Sequence, residues 1–140
     1  MYIDTSLLVP YYCPEPLSQA AERTLRGDPQ PALSDLVEVE FFSALARKVR
    51  AREMLVADAR RIGEQFLGHL QATMYTRIPV QRRHYDVARD WLGRFTSPLR
   101  ALDALHLAIA DAEGLRLATA DQVLSRSARS FGVTATLVRA

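Results

Sequence analysis

The sequence predicts an α/β fold in which helices sandwich a mostly parallel sheet. Short apolar runs, too brief for helices, alternate with longer segments of helical periodicity along all 140 residues. Glycine or proline marks several of the boundaries between segments, as at Gly27, Pro98, Gly114 and Gly132. There is no internal repeat, low-complexity tract or long linker, so residues 1–140 read as one domain.

The first strand is Tyr2-Ile3-Asp4, after which Ser6 is placed to cap a short helix through Leu7, Leu8 and Val9. Pro16 suits the first turn of a helix running to Arg26, with Gly27 as its stop. Pro29 and Pro31 bracket a turn before Ala32-Leu33-Ser34, a run that only its context makes a strand. From there to about Arg52, Leu36, Val37, Phe41, Leu45 and Val49 recur at helical spacing. A further helix, about Val56–Ala72, carries Ile62, Phe66, Leu67 and Leu70 on its apolar positions.

Arg77–Val80 reads as a brief strand, and Gln81–Phe95 as a helix that Ser97-Pro98 interrupts. Leu99–Ala112 has the cleanest helical pattern. Leu102, Leu105 and Ile109 share one face, and an alanine row permits close packing on a sheet. Gly114 ends it, Arg116–Thr119 is a strand, Asp121–Phe131 is a helix stopped by Gly132, and Val133–Val138 is the last strand.

Composition excludes several classes. The longest stretch free of Asp, Glu, Lys and Arg is the twelve residues Gln65–Thr76, well short of the ~20 that a membrane span needs. The first residues carry Asp4 where a signal peptide carries base. Cys13 is the only cysteine, so no internal disulfide forms and a reducing cytoplasm is expected.

Net charge is +2 but unevenly spread. Residues 1–46 hold two arginines against seven acids, whereas residues 47–100 hold eleven arginines and Lys48 against five acids. A basic middle suggests an anionic partner. Seventeen arginines, twenty alanines and no asparagine also look like coding bias, which weakens that argument. Arg47, Arg50, Arg52, Arg60 and Arg61 are therefore either contacts to the phosphates of an anionic partner such as nucleic acid or a solvated helix surface.

Phosphate-cradling glycine loops are absent, and His69, His84 and His106 are too scattered for a zinc motif. What remains is carboxylates in unusual places. Asp4 lies at the carboxyl end of the first strand, where open α/β sheets bind ligands. Asp121 follows the strand ending at Thr119 and belongs to the same edge, though an Asp there is often simply a helix cap. Asp103 sits in the otherwise apolar Ala101–His106 turn, where a carboxylate needs a metal, an arginine or solvent in a cleft. Asp35 and Glu38 fit a D-x-x-E capping arrangement; Glu40 lies beyond the reach of capping and is either exposed or functional. Clustered carboxylates favour Mg²⁺ or Mn²⁺ over zinc or copper and suit metal-assisted phosphodiester hydrolysis.

Four segments, Tyr2–Ser6, Ser34–Leu45, Leu99–Ala108 and Ala118–Asp121, together resemble the four acidic motifs of PIN-domain proteins. The match is nearest to the VapC-like ribonuclease toxins of toxin–antitoxin modules, and it spans essentially the whole chain. The resemblance implies a three-layer sandwich around a five-stranded sheet. It implies that Asp4, Glu40, Asp103 and Asp121 are the catalytic and metal-site acids, with Asp4 as bridging ligand if two ions bind, and that Ser6 and Thr119 support them. The activity implied is Mg²⁺- or Mn²⁺-dependent endoribonucleolytic cleavage by a toxin. The partners implied are RNA, a second copy of the chain and a small antitoxin, for which Leu7, Leu8, Tyr11, Tyr12 and the Phe41/Phe42 region either offer apolar docking surface or belong to the core. A DNA nuclease and a non-catalytic binding module are the alternatives; the small size and absence of a helical arch disfavour the first, and the complete acid set disfavours the second.

Overall fold

A computed structural model describes all of residues 1–140. In chain order the elements are β1 (Tyr2–Ile3), α1 (Thr5–Tyr12), α2 (Ser18–Arg26), β2 (Ala32–Ser34), α3 (Asp35–Arg50) and α4 (Val56–Gln71). There follow β3 (Thr76–Ile78), α5 (Arg82–Leu92), α6 (Ala101–Ala112), β4 (Leu117–Thr119), α7 (Gln122–Ser130) and β5 (Ala135–Leu137). The five strands form one sheet in the order β3-β2-β1-β4-β5, flanked by the seven helices. Every pairing is parallel, so the sheet is wholly rather than mostly parallel.

That order positions the site. From β1 the chain steps to β2 and β3 on one side, and β4 and β5 fill the other side. The carboxyl ends of β1 and β4 therefore flank the point where strand order reverses, the usual ligand crevice of an open parallel sheet. Tyr2 pairs with Leu117 and Ile3 with Ala118, which sets Asp4 and Thr119 side by side.

Strands of two or three residues cannot hold a fold by pairing alone. A continuous core of 35 buried residues, including Tyr2, Leu7, Leu33, Phe66 and Leu107, packs around them. Tyr12 is the hub on one side, with the rings of Phe41 and Phe66 at 5.4 and 5.5 Å. Its hydroxyl bonds Tyr75 Oη at 2.9 Å and His69 Nδ1 at 2.6 Å. Burial pushes the Tyr75 phenol up to about 12. This packing places most of the candidate docking surface in the core. Leu7, Leu8 and Phe41 are wholly enclosed and Tyr12 is buried, because α1 and α3 turn those side chains inward onto each other and onto α4. Of that group Phe42 alone is exposed, and Tyr11 is partly so.

Three local expectations also change. Helix α2 starts at Ser18, not Pro16, since Ser18 Oγ accepts from Glu15 N and donates to the Cys13 carbonyl, closing a turn first. Asp4, not Ser6, stands at the N-cap of α1, because the Ser6 hydroxyl is turned onto the Asp4 carboxylate. Asp35 and Glu38 form no capping box. Ser34 is the N-cap, Asp35 Oδ2 accepts from Val80 N at 3.1 Å, and Glu38 takes Arg77 in a two-point pair at 2.7 and 3.0 Å. Both acids tie α3 to the β3 end of the sheet. Helices α5 and α6 are shorter than their periodicity, and β5 is confined to Ala135–Leu137.

Candidate active site

Asp4 leaves β1 in extended conformation and enters the crevice 4% exposed. Its two carboxylate oxygens are held separately. Ser6 Oγ donates to Oδ1 at 2.6 Å and Thr119 Oγ1 donates to Oδ2 at 2.5 Å. Each hydroxyl has one proton, so the oxygens of Ser6 and Thr119 must accept elsewhere, and they do so from Ala120 N and Asp121 N. The turn after β4 is thus laced to the turn after β1. Burial raises the Asp4 carboxyl above the ordinary range, and the two hydroxyls oppose the rise. Ser6 and Thr119 thus both rest against the Asp4 carboxylate.

Asp121 caps α7, its Oδ1 accepting from Leu124 N at 2.9 Å. The cap employs one oxygen and leaves Oδ2 without a protein donor, so the capping and site readings of this residue are compatible. Asp103 lies in the first turn of α6, partly buried. Its carboxyl is raised above the usual range, first by burial and then by the charge of Asp121, with Glu40 adding to it. Thr5, next to Asp4, donates to Glu40, and Thr119 joins Asp4 to the backbone of Asp121, so these three acids belong to the carboxyl ends of β1 and β4, with Asp103 on α6 near enough to Asp121 and Glu40 to feel their charge.

Glu40 accepts a hydrogen bond from Thr5 Oγ1 at 3.1 Å and contacts His106 Nε2, both through Oε1. Glu38, two residues earlier, points toward Arg77 and takes no part. A groove of about 310 Å³ begins at Glu40 and is lined by Thr5, Ser43, Arg47, Arg50 and Leu102. Arg47 and Arg50 thus share a groove with Glu40. Arg52, Arg60 and Arg61 do not line this groove, and Arg61 pairs with Asp58 at 3.2 Å.

As they stand, no three His, Cys, Asp or Glu side chains are grouped closely enough to hold a metal ion. The donor set can nonetheless be tested for chemical fit. It is all oxygen: His106 has both ring nitrogens engaged, and Cys13 is buried at the far end of α1, beside Lys48 and Glu15. Such donors suit a hard divalent ion and exclude a thiolate or imidazole zinc site. Sequence reasoning missed Thr5 and His106 as site residues. His106 was considered only as a metal ligand, although its position three residues after Asp103 on a helix puts both on one face.

The family model for the PIN domain matches residues 1–130. Ribonuclease VapC46 of Mycobacterium tuberculosis is 32% identical over 136 residues, covering 95% of this chain and 93% of that protein. VapC20 of the same organism, a sarcin–ricin loop cleaving toxin, superposes with a TM-score of 0.70 at 18% identity, over 90% of this chain and 93% of its own. A toxin–antitoxin complex from Klebsiella pneumoniae gives a TM-score of 0.65 at 16% identity, over 89% and 88%.

Proposed function

The chain belongs to the PIN-domain family, and from that premise we propose that it is a divalent-metal-dependent endoribonuclease, the toxin of a toxin–antitoxin pair. The observation that supports this reading is the hydrogen-bonded link of Glu40, Asp4 and Asp121 through Thr5 and Thr119 at the carboxyl ends of β1 and β4, with Asp103 on α6 beside them. Four acids in one crevice repel one another, and a cation relieves that repulsion.

Asp4, Glu40, Asp103 and Asp121 would hold one or two Mg²⁺ or Mn²⁺ ions, with Asp4 as the bridging carboxylate if there are two. A bound ion supplies charge stabilisation to the phosphoryl oxygens and lowers the pKa of a water. Ser6 and Thr119 fix the plane of the Asp4 carboxylate and leave further lone pairs on both oxygens for ligation. Arg47 and Arg50, along the groove, take the phosphates on either side of the scissile bond and position RNA without reading its sequence. The chain forms a homodimer, and an antitoxin protein covers the crevice in the resting state. Toxin–antitoxin complexes among the solved structures of the same fold support a protein partner.

The test is cleavage of RNA by the purified chain, free of its antitoxin. Cleavage in millimolar Mn²⁺ that stops in excess EDTA and returns with added Mn²⁺ is the expected result. Undiminished cleavage in EDTA sinks the metal-dependent reading, and a chain inert toward RNA in Mn²⁺ sinks the ribonuclease reading.

A further inference from the structure

We propose that His106, held by Tyr2 and Ser34, is a positioning residue that locks Glu40 with one carboxylate oxygen free for the ion; the inference rests on the metal-dependent reading above.

Four side chains form one file through the protein. Ser34 Oγ lies 2.8 Å from Tyr2 Oη, Tyr2 Oη lies 2.7 Å from His106 Nδ1, and His106 Nε2 meets Glu40 Oε1. Ser34 and Tyr2 are fully enclosed and His106 is 3% exposed, so water does not compete for these bonds. The elements involved are β2, β1, α6 and α3, which means that the file crosses the sheet and ends at the crevice.

The chemistry of each group gives the file a direction. An ionised Glu40 can only accept, so Nε2 must carry the proton. Nδ1 of the neutral ring then offers a lone pair, and Tyr2 must donate to it. The Tyr2 oxygen in turn accepts from Ser34. Every proton points toward Glu40, and each step fixes the orientation of the next.

The end of the file is asymmetric. Thr5 and His106 both donate to Oε1, and no protein donor reaches Oε2. Glu40 borders the groove and lies close enough to Asp103 to raise it. A long glutamate side chain left to itself samples many rotamers, and ordering it on ligation costs entropy. Here that ordering is already done by the fold. Partners of a ligating carboxylate commonly carry ~10–100-fold of metal affinity or activity.

Four proteins test this: wild type, Tyr2→Phe, His106→Gln and His106→Leu, each checked for folding by circular dichroism. The readouts are Mn²⁺ affinity by calorimetry, kcat and KM on RNA, and the ring ¹⁵N shifts of His106 in the metal-free protein. His106→Leu should weaken Mn²⁺ binding and lower kcat by ~10–100-fold with KM for RNA little changed. Glutamine places an amide nitrogen near the position of Nε2, so His106→Gln should recover most of the loss. Tyr2→Phe keeps the ring and removes one hydroxyl; it should weaken Mn²⁺ several-fold and convert a single Nε2–H tautomer into a mixture. If His106→Leu does not fold, Tyr2→Phe and His106→Gln decide the matter. Folded variants that bind Mn²⁺ as wild type does would overturn the inference. So would a glutamine variant no better than leucine, or a wild-type ring protonated on Nδ1 alone. A wild type that takes up no Mn²⁺ overturns the functional reading and this inference together, whereas normal wild-type binding with unaffected variants overturns this inference alone.

Discussion

Helix α3 presents two acidic faces that differ in one respect only. On the face toward β3, Glu38 has both oxygens occupied by one guanidinium, and its charge is matched. On the face toward β1 and α6, Glu40 has one oxygen occupied and one free, with Asp103 and Asp121 close by. Two residues of helix separate a satisfied carboxylate from an unsatisfied one. The first belongs to the architecture, since its partner is supplied by the fold. On the metal-dependent reading proposed above, the second keeps one oxygen for a cation, which is the difference between a structural acid and a functional one.

The largest effect should come from removing charge on the unsatisfied side. Asp103→Asn keeps shape and volume, and cleavage at saturating Mn²⁺ should fall by about 10²–10³-fold, the scale on which preorganised charge stabilisation is lost. Glu40→Gln should follow it, while Glu38→Gln should leave the rate nearly unchanged. An inactive Glu38→Gln beside an active Glu40→Gln would reverse the assignment of the two faces.

Next in size is a stability effect with a definite sign. The folded-state carboxyl of Asp103 lies above its unfolded value, chiefly through burial and then through Asp121. Its contribution to stability is therefore full below the ordinary carboxylate range and is lost as pH rises through the raised value. The metal-free Asp103→Asn protein should melt above wild type at neutral pH, and the gap should close on acidification. Each 1 kcal/mol corresponds to roughly 4 °C in a chain of this size. Mn²⁺ should narrow the gap from the other side, adding about 2.7 kcal/mol to wild type at a hundredfold excess over Kd. Scanning calorimetry across that pH range, with and without Mn²⁺, reads both; a variant that melts below wild type at neutral pH would count against a repulsive crevice.

A smaller effect separates the arginines. Arg47→Gln and Arg50→Gln should each weaken RNA binding and reduce its salt dependence by about 0.7 in log–log slope, the value for one phosphate contact on a single strand. Arg60→Gln and Arg61→Gln, away from the groove, should change the slope less. Filter binding over a salt series distinguishes the pairs. The least effect belongs to the satisfied face. Arg77→Gln removes an exposed partner of Glu38 and should cost about 0.2–1 kcal/mol by denaturant titration, with cleavage intact.

The sequence by itself determined the alternation of strands and helices, the position of Asp4 and Asp121 after strands, and the oddity of Asp103 in an apolar turn. Those features are local. Periodicity, turn residues and the cost of burying a charge are legible wherever a few neighbouring residues decide the matter. Residue spacing also separated Glu40 from its neighbours, but it assigned Asp35 and Glu38 to a cap they do not form. Their partners, Val80 and Arg77, lie about forty residues away and become neighbours only when β3 pairs with β2. The same holds for Leu7, Leu8 and Phe41, whose apolar character fits a surface or a core equally until α1 and α3 close on each other. It holds most strongly for His106. Its two nitrogens bond Tyr2, 104 positions away, and Glu40, 66 positions away. Long-range pairing of buried polar groups follows from which strands lie adjacent, and strand order is a property of the folded sheet that no local stretch of sequence encodes.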